Sequence, residues 1–138
     1  MLRRRRLPED LVEPFERFRE VLALAERATS ALTSSVPATR LPGRPLAETL
    51  GEFEEELRAM AAAAPSWRAP EVEEAWIACA EAVEECLART ERLRVEAPDL
   101  AGFESIIGTI DDLLAPLEAF REAAEQFGEL RRSARDVR

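Results

Sequence analysis

The stretch FESIIGTIDDLLAPLEAFREAAEQF, residues 103–127, decides the fold. Its apolar residues recur at alternating steps of three and four, at Phe103, Ile106, Ile110, Leu113, Leu117, Phe120, Ala124 and Phe127. This spacing is typical of an amphipathic helix that lies lengthwise against other helices through one apolar stripe. Ile107 and Leu114 widen the stripe to one side, which favours a helix that contacts more than one neighbour.

Three earlier segments show the same periodicity, and a proline stands at the start of each. After a basic N-terminal tail at 1–7, we predict helices over 8–34, 45–64, 70–96 and 100–135. In the first helix the apolar stripe is Leu11, Phe15, Phe18, Leu22, Ala25, Thr29 and Leu32. Pro14 predicts either a kink in that helix or a later start, and Pro116 predicts a kink in the last helix.

Each predicted helix has one apolar stripe and one charged face, and such a helix is stable only when its stripe is covered. The stripes can cover one another if residues 1–138 form a single helical domain, which 138 residues suit. We therefore predict an all-α protein, an antiparallel four-helix bundle with a long C-terminal helix. The alternative is a dimer of helical hairpins, since a second copy could cover the stripes equally well.

The composition excludes several chemistries. The chain has no His, and all nineteen of its basic residues are Arg. Without His there is no ordinary Ser-His or Cys-His pair and no imidazole metal ligand, and without Lys there is no Schiff base. No run of apolar residues is long enough to span a membrane. We expect no cofactor.

The two cysteines, Cys79 and Cys86, are seven residues apart on one predicted helix. Two helical turns separate their backbones by about 10.5 Å, which is too far for a disulfide. We interpret them as buried, reduced thiols, and this interpretation favours a cytoplasmic location.

Arginines are concentrated at the two ends of the chain, at Arg3, Arg4, Arg5, Arg6, Arg131, Arg132, Arg135 and Arg138. The remaining stretch, 7–130, is strongly acidic, with 11 Arg against 27 Asp and Glu. In an up-and-down four-helix bundle both ends lie at one pole, so the arginines would form a basic end on an acidic rod. Guanidinium groups there could bind carboxylate or phosphate surfaces. A long nucleic acid is disfavoured because the acidic body would repel it.

Carboxylates on the second and third predicted helices suggest an alternative, a divalent-metal enzyme. All-α nucleotide pyrophosphohydrolases, for comparison, use an ExxE pair together with an ExxD pair. Glu52 with Glu55, and Glu71 with Glu74, have the first spacing, but no suitable ExxD pair follows. Most of these carboxylates fall off the apolar stripes and are expected to face water.

Three further residues are candidates for binding a partner. Trp67 lies in the short connection between the second and third helices and either folds over the end of the bundle or projects as an anchor. Ile77 lies off its helix's stripe and suggests an outer apolar contact. Gly108 also lies off the stripe, where it permits a bend or the close approach of another chain.

These observations favour a non-enzymatic helical adaptor or assembly subunit. It would bind a partner protein, or a second copy in a homodimer, through helix faces and its arginine-rich ends. The alternatives are the metal enzyme and a small-ligand sensor with a cavity lined by Trp76 and the thiols.

Overall fold

The computed structural model describes residues 8–35, 46–96 and 103–136. Within these ranges the chain is helical almost throughout and contains no strand. The α-helices are α1 (Glu9–Ser35), α2 (Leu46–Ala63), α3 (Glu73–Glu96), α4 (Phe103–Leu114) and α5 (Glu118–Asp136). Short 3-10 turns at Ala64–Trp67 and Pro70–Val72 connect α2 to α3, and another at Ala115–Leu117 joins α4 to α5. We refer to α4, this turn and α5 together as the C-terminal helix.

The first helix begins before Pro14. Glu9 and Asp10 occupy its first turn, where carboxylates complement the positive end of the helix dipole. Pro14 lies inside the helix, where it has no N–H to donate to the carbonyl of Asp10. Asp10 is exposed, so water can donate to that carbonyl instead. Pro14 is therefore not the start of the helix.

Contacts between the helices show that neighbours in the chain run antiparallel. Phe18, early in α1, contacts Trp67, which lies in the 3-10 turn that follows α2, with ring centroids 4.8 Å apart. Trp76, early in α3, donates a hydrogen bond from its indole N–H to the carbonyl of Ala64. Cys86, in the second half of α3, donates to the carbonyl of Leu113, which lies in the first half of the C-terminal helix. The predicted all-α, antiparallel four-helix bundle with a long C-terminal helix is thus confirmed.

The start of α1 and the end of α5 lie at the same pole of the bundle. The rings of Phe15 and Phe127 are 5.2 Å apart, and the Arg131 guanidinium lies 4.9 Å from the centre of the Phe15 ring. Arg3, Arg4, Arg5, Arg6 and Arg138 lie outside the described residues. Arg135 belongs to α5, but its side chain is not described.

Aromatic residues form the centre of the core near this pole. Phe18 contacts Trp67, Phe120 and Phe127, with centroid separations of 4.8, 6.5 and 5.0 Å. All four side chains are buried. Because they come from α1, the α2–α3 connection and α5, this cluster ties three parts of the chain together. Among the described helices, none is long and apolar enough to cross a membrane.

The C-terminal helix changes to a 3-10 turn at Pro116, and α3 compensates for the lost hydrogen bond. Pro116 has no N–H, so it cannot donate to the carbonyl of Asp112 as a regular helical residue would. The Arg89 guanidinium donates to that carbonyl instead, at 2.5 Å. The neighbouring carbonyl of Leu113 accepts from the Cys86 thiol at 3.1 Å.

This arrangement predicts an energetic coupling between Arg89 and Pro116. Arg89→Met should lower the free energy of unfolding by about 1 kcal/mol, because the Asp112 carbonyl loses its donor. The loss should be smaller in a Pro116→Ala background, where the restored N–H can bond to that carbonyl. Urea unfolding of both single variants and the double variant measures the difference. Arg92→Met, an exposed change on the same helix, is the control. Equal losses in the two backgrounds would contradict this account.

Candidate protein-interaction groove

A groove of about 590 Å³ runs between α1 and the C-terminal helix. Its lining from α1 is Leu22, Ala25, Glu26, Thr29 and Ser30. From the C-terminal helix it is Asp111, Leu114, Ala115, Leu117, Glu118, Phe120, Arg121 and Ala124. We call this feature the α1–α5 groove.

The groove exists because α1 has a wider apolar surface than the bundle covers. Its fully buried face consists of Leu11, Phe18, Val21, Ala25, Ala28 and Leu32. The other residues of the predicted stripe, Phe15, Leu22 and Thr29, are spaced seven apart and are only half-buried. Leu22 and Thr29 line the groove and face an open channel, whereas Phe15 packs against Phe127 outside the lining.

The C-terminal helix, which forms the opposite wall of the groove, also has apolar residues that the bundle leaves half-buried. Leu114, which widens the predicted stripe to one side, is half-buried and lines the groove together with Ala124. Leu117 and Phe120 are buried and lie deeper between the helices. Ala25 and Ala124 are too small to fill the space between the two backbones, and a channel remains.

Charge is distributed unevenly along the groove. At the pole where α1 starts, Arg19 and Arg131 both lie against the Phe15 ring, at 5.9 and 4.9 Å from its centre. At the other end the lining includes the carboxylates of Glu26 and Asp111. Arg121 lies between these ends and is 3.7 Å from Glu118 in an exposed ion pair. Arg19 and Arg131 therefore lie beside one end of the groove without lining it, and Glu26, Asp111 and Glu118 contribute carboxylates to the lining.

The other candidate binding residues on the described surface are exposed and belong to three different helices. Arg132 is exposed near the end of α5. Ile77 is 42% exposed on α3, outside the groove. Gly108 is exposed on α4, and a Cβ added there would meet nothing within 4 Å. Arg131 contacts α1 through the Phe15 ring.

Trp67 requires a correction as a binding candidate. Only 1% of its surface is exposed, and its ring packs against Phe18 and Phe127. Its side chain lies in the core, which is inconsistent with an anchor that projects towards a partner. The physical reason is the 3-10 turn at Ala64–Trp67, which directs the indole back between the helices.

The carboxylates of the metal alternative are spread over the surface. Glu52, Glu55, Glu71 and Glu74 are all exposed. Among the described residues, no three His, Cys, Asp or Glu side chains are close enough together to hold a metal ion. The thiols are also poorly suited as ligands, because burial raises the pKa of Cys79 to about 12 and that of Cys86 to about 11.

Glu54 is a structurally important residue that the sequence pattern did not indicate. Only 5% of its surface is exposed, and its carboxylate accepts hydrogen bonds from Arg58 at 2.6 Å and from Arg94 of α3. The bond from Arg58, together with that from Arg94, holds the pKa of Glu54 below its ordinary value, although burial raises it. In the sequence, the i, i+4 spacing of Glu54 and Arg58 indicates an ion pair on one helix. Exposed ion pairs have the same spacing, so it does not indicate that Glu54 is buried.

Glu54→Gln is expected to lower the free energy of unfolding by about 1 kcal/mol at pH 7. A carboxyl group with a lower pKa in the folded state stabilises the fold above its unfolded pKa, near 4.5. The difference in the free energy of unfolding between Glu54→Gln and wild type should therefore become smaller as the pH falls below 4.5. Urea unfolding at pH 7 and pH 3 tests this, with the exposed Glu55→Gln as the control. A difference that does not change with pH would contradict it.

Comparisons with protein-family models, curated proteins and solved structures found no match for this chain. The functional proposal therefore rests on the geometry of the α1–α5 groove.

Proposed function

We propose that this chain is a non-enzymatic helical adaptor or assembly subunit that binds a helix along the α1–α5 groove. The observation that supports this is that the half-buried residues Leu22 and Thr29 face Leu114 and Ala124 across an open channel. Contiguous apolar surface with polar residues at its edges is typical of protein-binding sites. Proteins commonly bind an amphipathic helix in such a groove.

The dimensions of the groove suit a helix. On the C-terminal helix the lining extends from Asp111 to Ala124, over about 20 Å at 1.5 Å per residue. A bound helix of about four turns would match this length. Apolar residues spaced seven apart on that helix would then face the half-buried residues of the groove. A third helix in the channel would cover the half-buried residues of both walls at once.

We infer that the occupant is α1 of a second copy of the chain, so that in a two-fold symmetric dimer each α1 lies in the groove of the other copy. We place the two-fold axis perpendicular to the groove. The two copies then run in opposite directions, and the arginines beside one end of each groove lie towards the carboxylates of the other copy. Arg19 and Arg131 of one protomer would then lie near Glu26 and Asp111 of its partner. In this arrangement the arginine-rich pole takes part in the interface, and complementary charge fixes the direction of pairing.

Light scattering with size-exclusion chromatography tests this proposal. Wild type is expected to elute with about twice the chain mass of 15.4 kDa. Ala124→Arg, which places a large charged side chain in the groove, should give a monomer with unchanged helix content. Ile77→Arg, an exposed change on α3 outside the groove, is the matched control and should remain dimeric.

A charge exchange tests the direction of pairing. Arg131→Glu and Glu26→Arg should each weaken the dimer, and the double variant should regain part of the lost affinity because the opposite charges meet again. A wild type that is monomeric at all accessible concentrations would contradict the choice of a second copy as the occupant. A dimer unaffected by Ala124→Arg would contradict the groove as the interface.

We further propose that the protein acts in the cytoplasm. Cys79 and Cys86 are both buried as free thiols, a state that a reducing compartment preserves.

A further inference from the structure

A second opening lies on a different face of the bundle, between the end of α2 and the first half of α3. It is a cavity of about 210 Å³, which we call the Trp76 cavity. Its inner wall consists of five buried side chains, Met60, Trp67, Cys79, Val83 and Phe120. Its mouth is formed by Ala61, Ala64, Pro65, Trp76, Ala80 and Glu84.

Small residues on the two facing helices create the cavity. Ala61 and Ala64 come from the α2 side and Ala80 from α3, and none of them reaches across the space between the backbones. The larger residues around them, Met60 and Trp67, already pack in the core. The space is therefore left over between side chains that are held elsewhere.

Trp76 forms a fixed wall of this cavity. Its indole N–H donates to the carbonyl of Ala64 at 2.7 Å, and the Arg68 guanidinium lies 4.4 Å from its ring centre. Arg68 is itself held by two hydrogen bonds to Glu73, at 2.6 and 3.1 Å. These contacts restrain Trp76 from rotating inwards to fill the space, so the cavity persists.

We propose that the Trp76 cavity binds a small, neutral, apolar molecule about the size of one substituted aromatic ring. An engineered cavity of about 150 Å³ lined by apolar side chains binds benzene, so about 210 Å³ has room for a somewhat larger ring. The lining is apolar except for Glu84 at the mouth. A negatively charged ligand would be disfavoured by that carboxylate and by the loss of its water in the apolar interior.

The Cys79 thiol supports a neutral, non-covalent ligand. Burial, with a contribution from Glu122, raises its pKa to about 12, so near neutral pH it remains a thiol and is a poor nucleophile. The inference does not depend on the proposed dimer. Phe120 lines both openings, but the other lining residues differ.

Toluene is a suitable probe, with benzoate as the charged molecule of similar shape. The chain has two methionines, Met1 and Met60, so labelling methionine methyl groups gives one reporter in the cavity and one at the N-terminus. We expect toluene to shift the Met60 methyl resonance in a saturable way, with magnetisation transfer from the ring to that methyl. Benzoate at the same concentration should leave the Met60 resonance unchanged.

Filling the cavity should abolish this response. Ala80→Leu places a larger side chain in the lining and should weaken toluene binding at least tenfold, whereas Ala88→Leu, an exposed change on α3 outside the cavity, should not. Toluene should also raise the melting temperature of wild type and of Ala88→Leu. An unmoved Met60 resonance in wild type, or equal responses to toluene and benzoate, would overturn the proposal. If Ala80→Leu does not fold, magnetisation transfer in wild type decides the question.

Discussion

Trp67→Ala is expected to lower the free energy of unfolding by about 3 to 5 kcal/mol, the usual cost of removing a large buried aromatic side chain. Trp67 packs against Phe18 and Phe127, with centroid separations of 4.8 and 6.3 Å. Its removal leaves a void where α1, the α2–α3 connection and α5 meet. Such a loss is a large part of the total stability of a small domain.

Equilibrium urea unfolding followed by circular dichroism measures this loss. The control is Ile77→Ala, because Ile77 is 42% exposed and its truncation should cost less than about 1 kcal/mol. A loss below about 1 kcal/mol for Trp67→Ala would mean that the indole projects from the bundle. In that case Trp67 would again be a candidate for contact with a partner.

Leu113→Ala is expected to cost about 2 to 5 kcal/mol, as truncations of buried leucines do. Leu113 is buried in the core, and its carbonyl accepts the hydrogen bond from the Cys86 thiol. The space left by its side chain cannot close easily, because Arg89 and Cys86 hold the neighbouring carbonyls of the Pro116 turn in place.

The same unfolding experiment measures this second loss, with Val95→Ala as the control. Val95 is 79% exposed, so its truncation should change the free energy of unfolding by less than about 0.5 kcal/mol. A negligible cost for Leu113→Ala would show that the apolar stripe of the C-terminal helix is not buried. The bundle described here would then be wrong.

The apolar periodicity was sufficient to predict the antiparallel bundle and its long last helix. Where an apolar stripe is wide, however, periodicity does not predict which of its residues the neighbouring helices cover. In α1 the predicted row Phe15, Leu22 and Thr29 is half-buried, and Val21 and Ala28 are buried instead. Periodicity gives the direction of an apolar face to within a fraction of a turn, whereas the exact rotation of a helix depends on the shapes of its neighbours.

The individual site residues were harder to predict for the same reason. Whether Trp67 turns inwards depends on the backbone of a connection of a few residues, which composition does not determine. Glu54 lies next to Phe53 on α2, and its burial depends on the approach of Arg94 from α3. Both positions follow from long-range packing, which local sequence patterns do not contain.

The central claim is that the start of α1 and the end of α5 lie side by side at one pole. Paired spin labels at Val12→Cys and Glu129→Cys, with Cys79 and Cys86 replaced by Ala, test it by a distance measurement. Labelled protein is diluted with unlabelled protein so that distances between protomers do not contribute. Adjacent helices pack 8 to 10 Å apart, so we expect a label separation below about 25 Å. A separation of about 40 Å, the length of the 27-residue α1, would place the two ends at opposite poles and contradict this account.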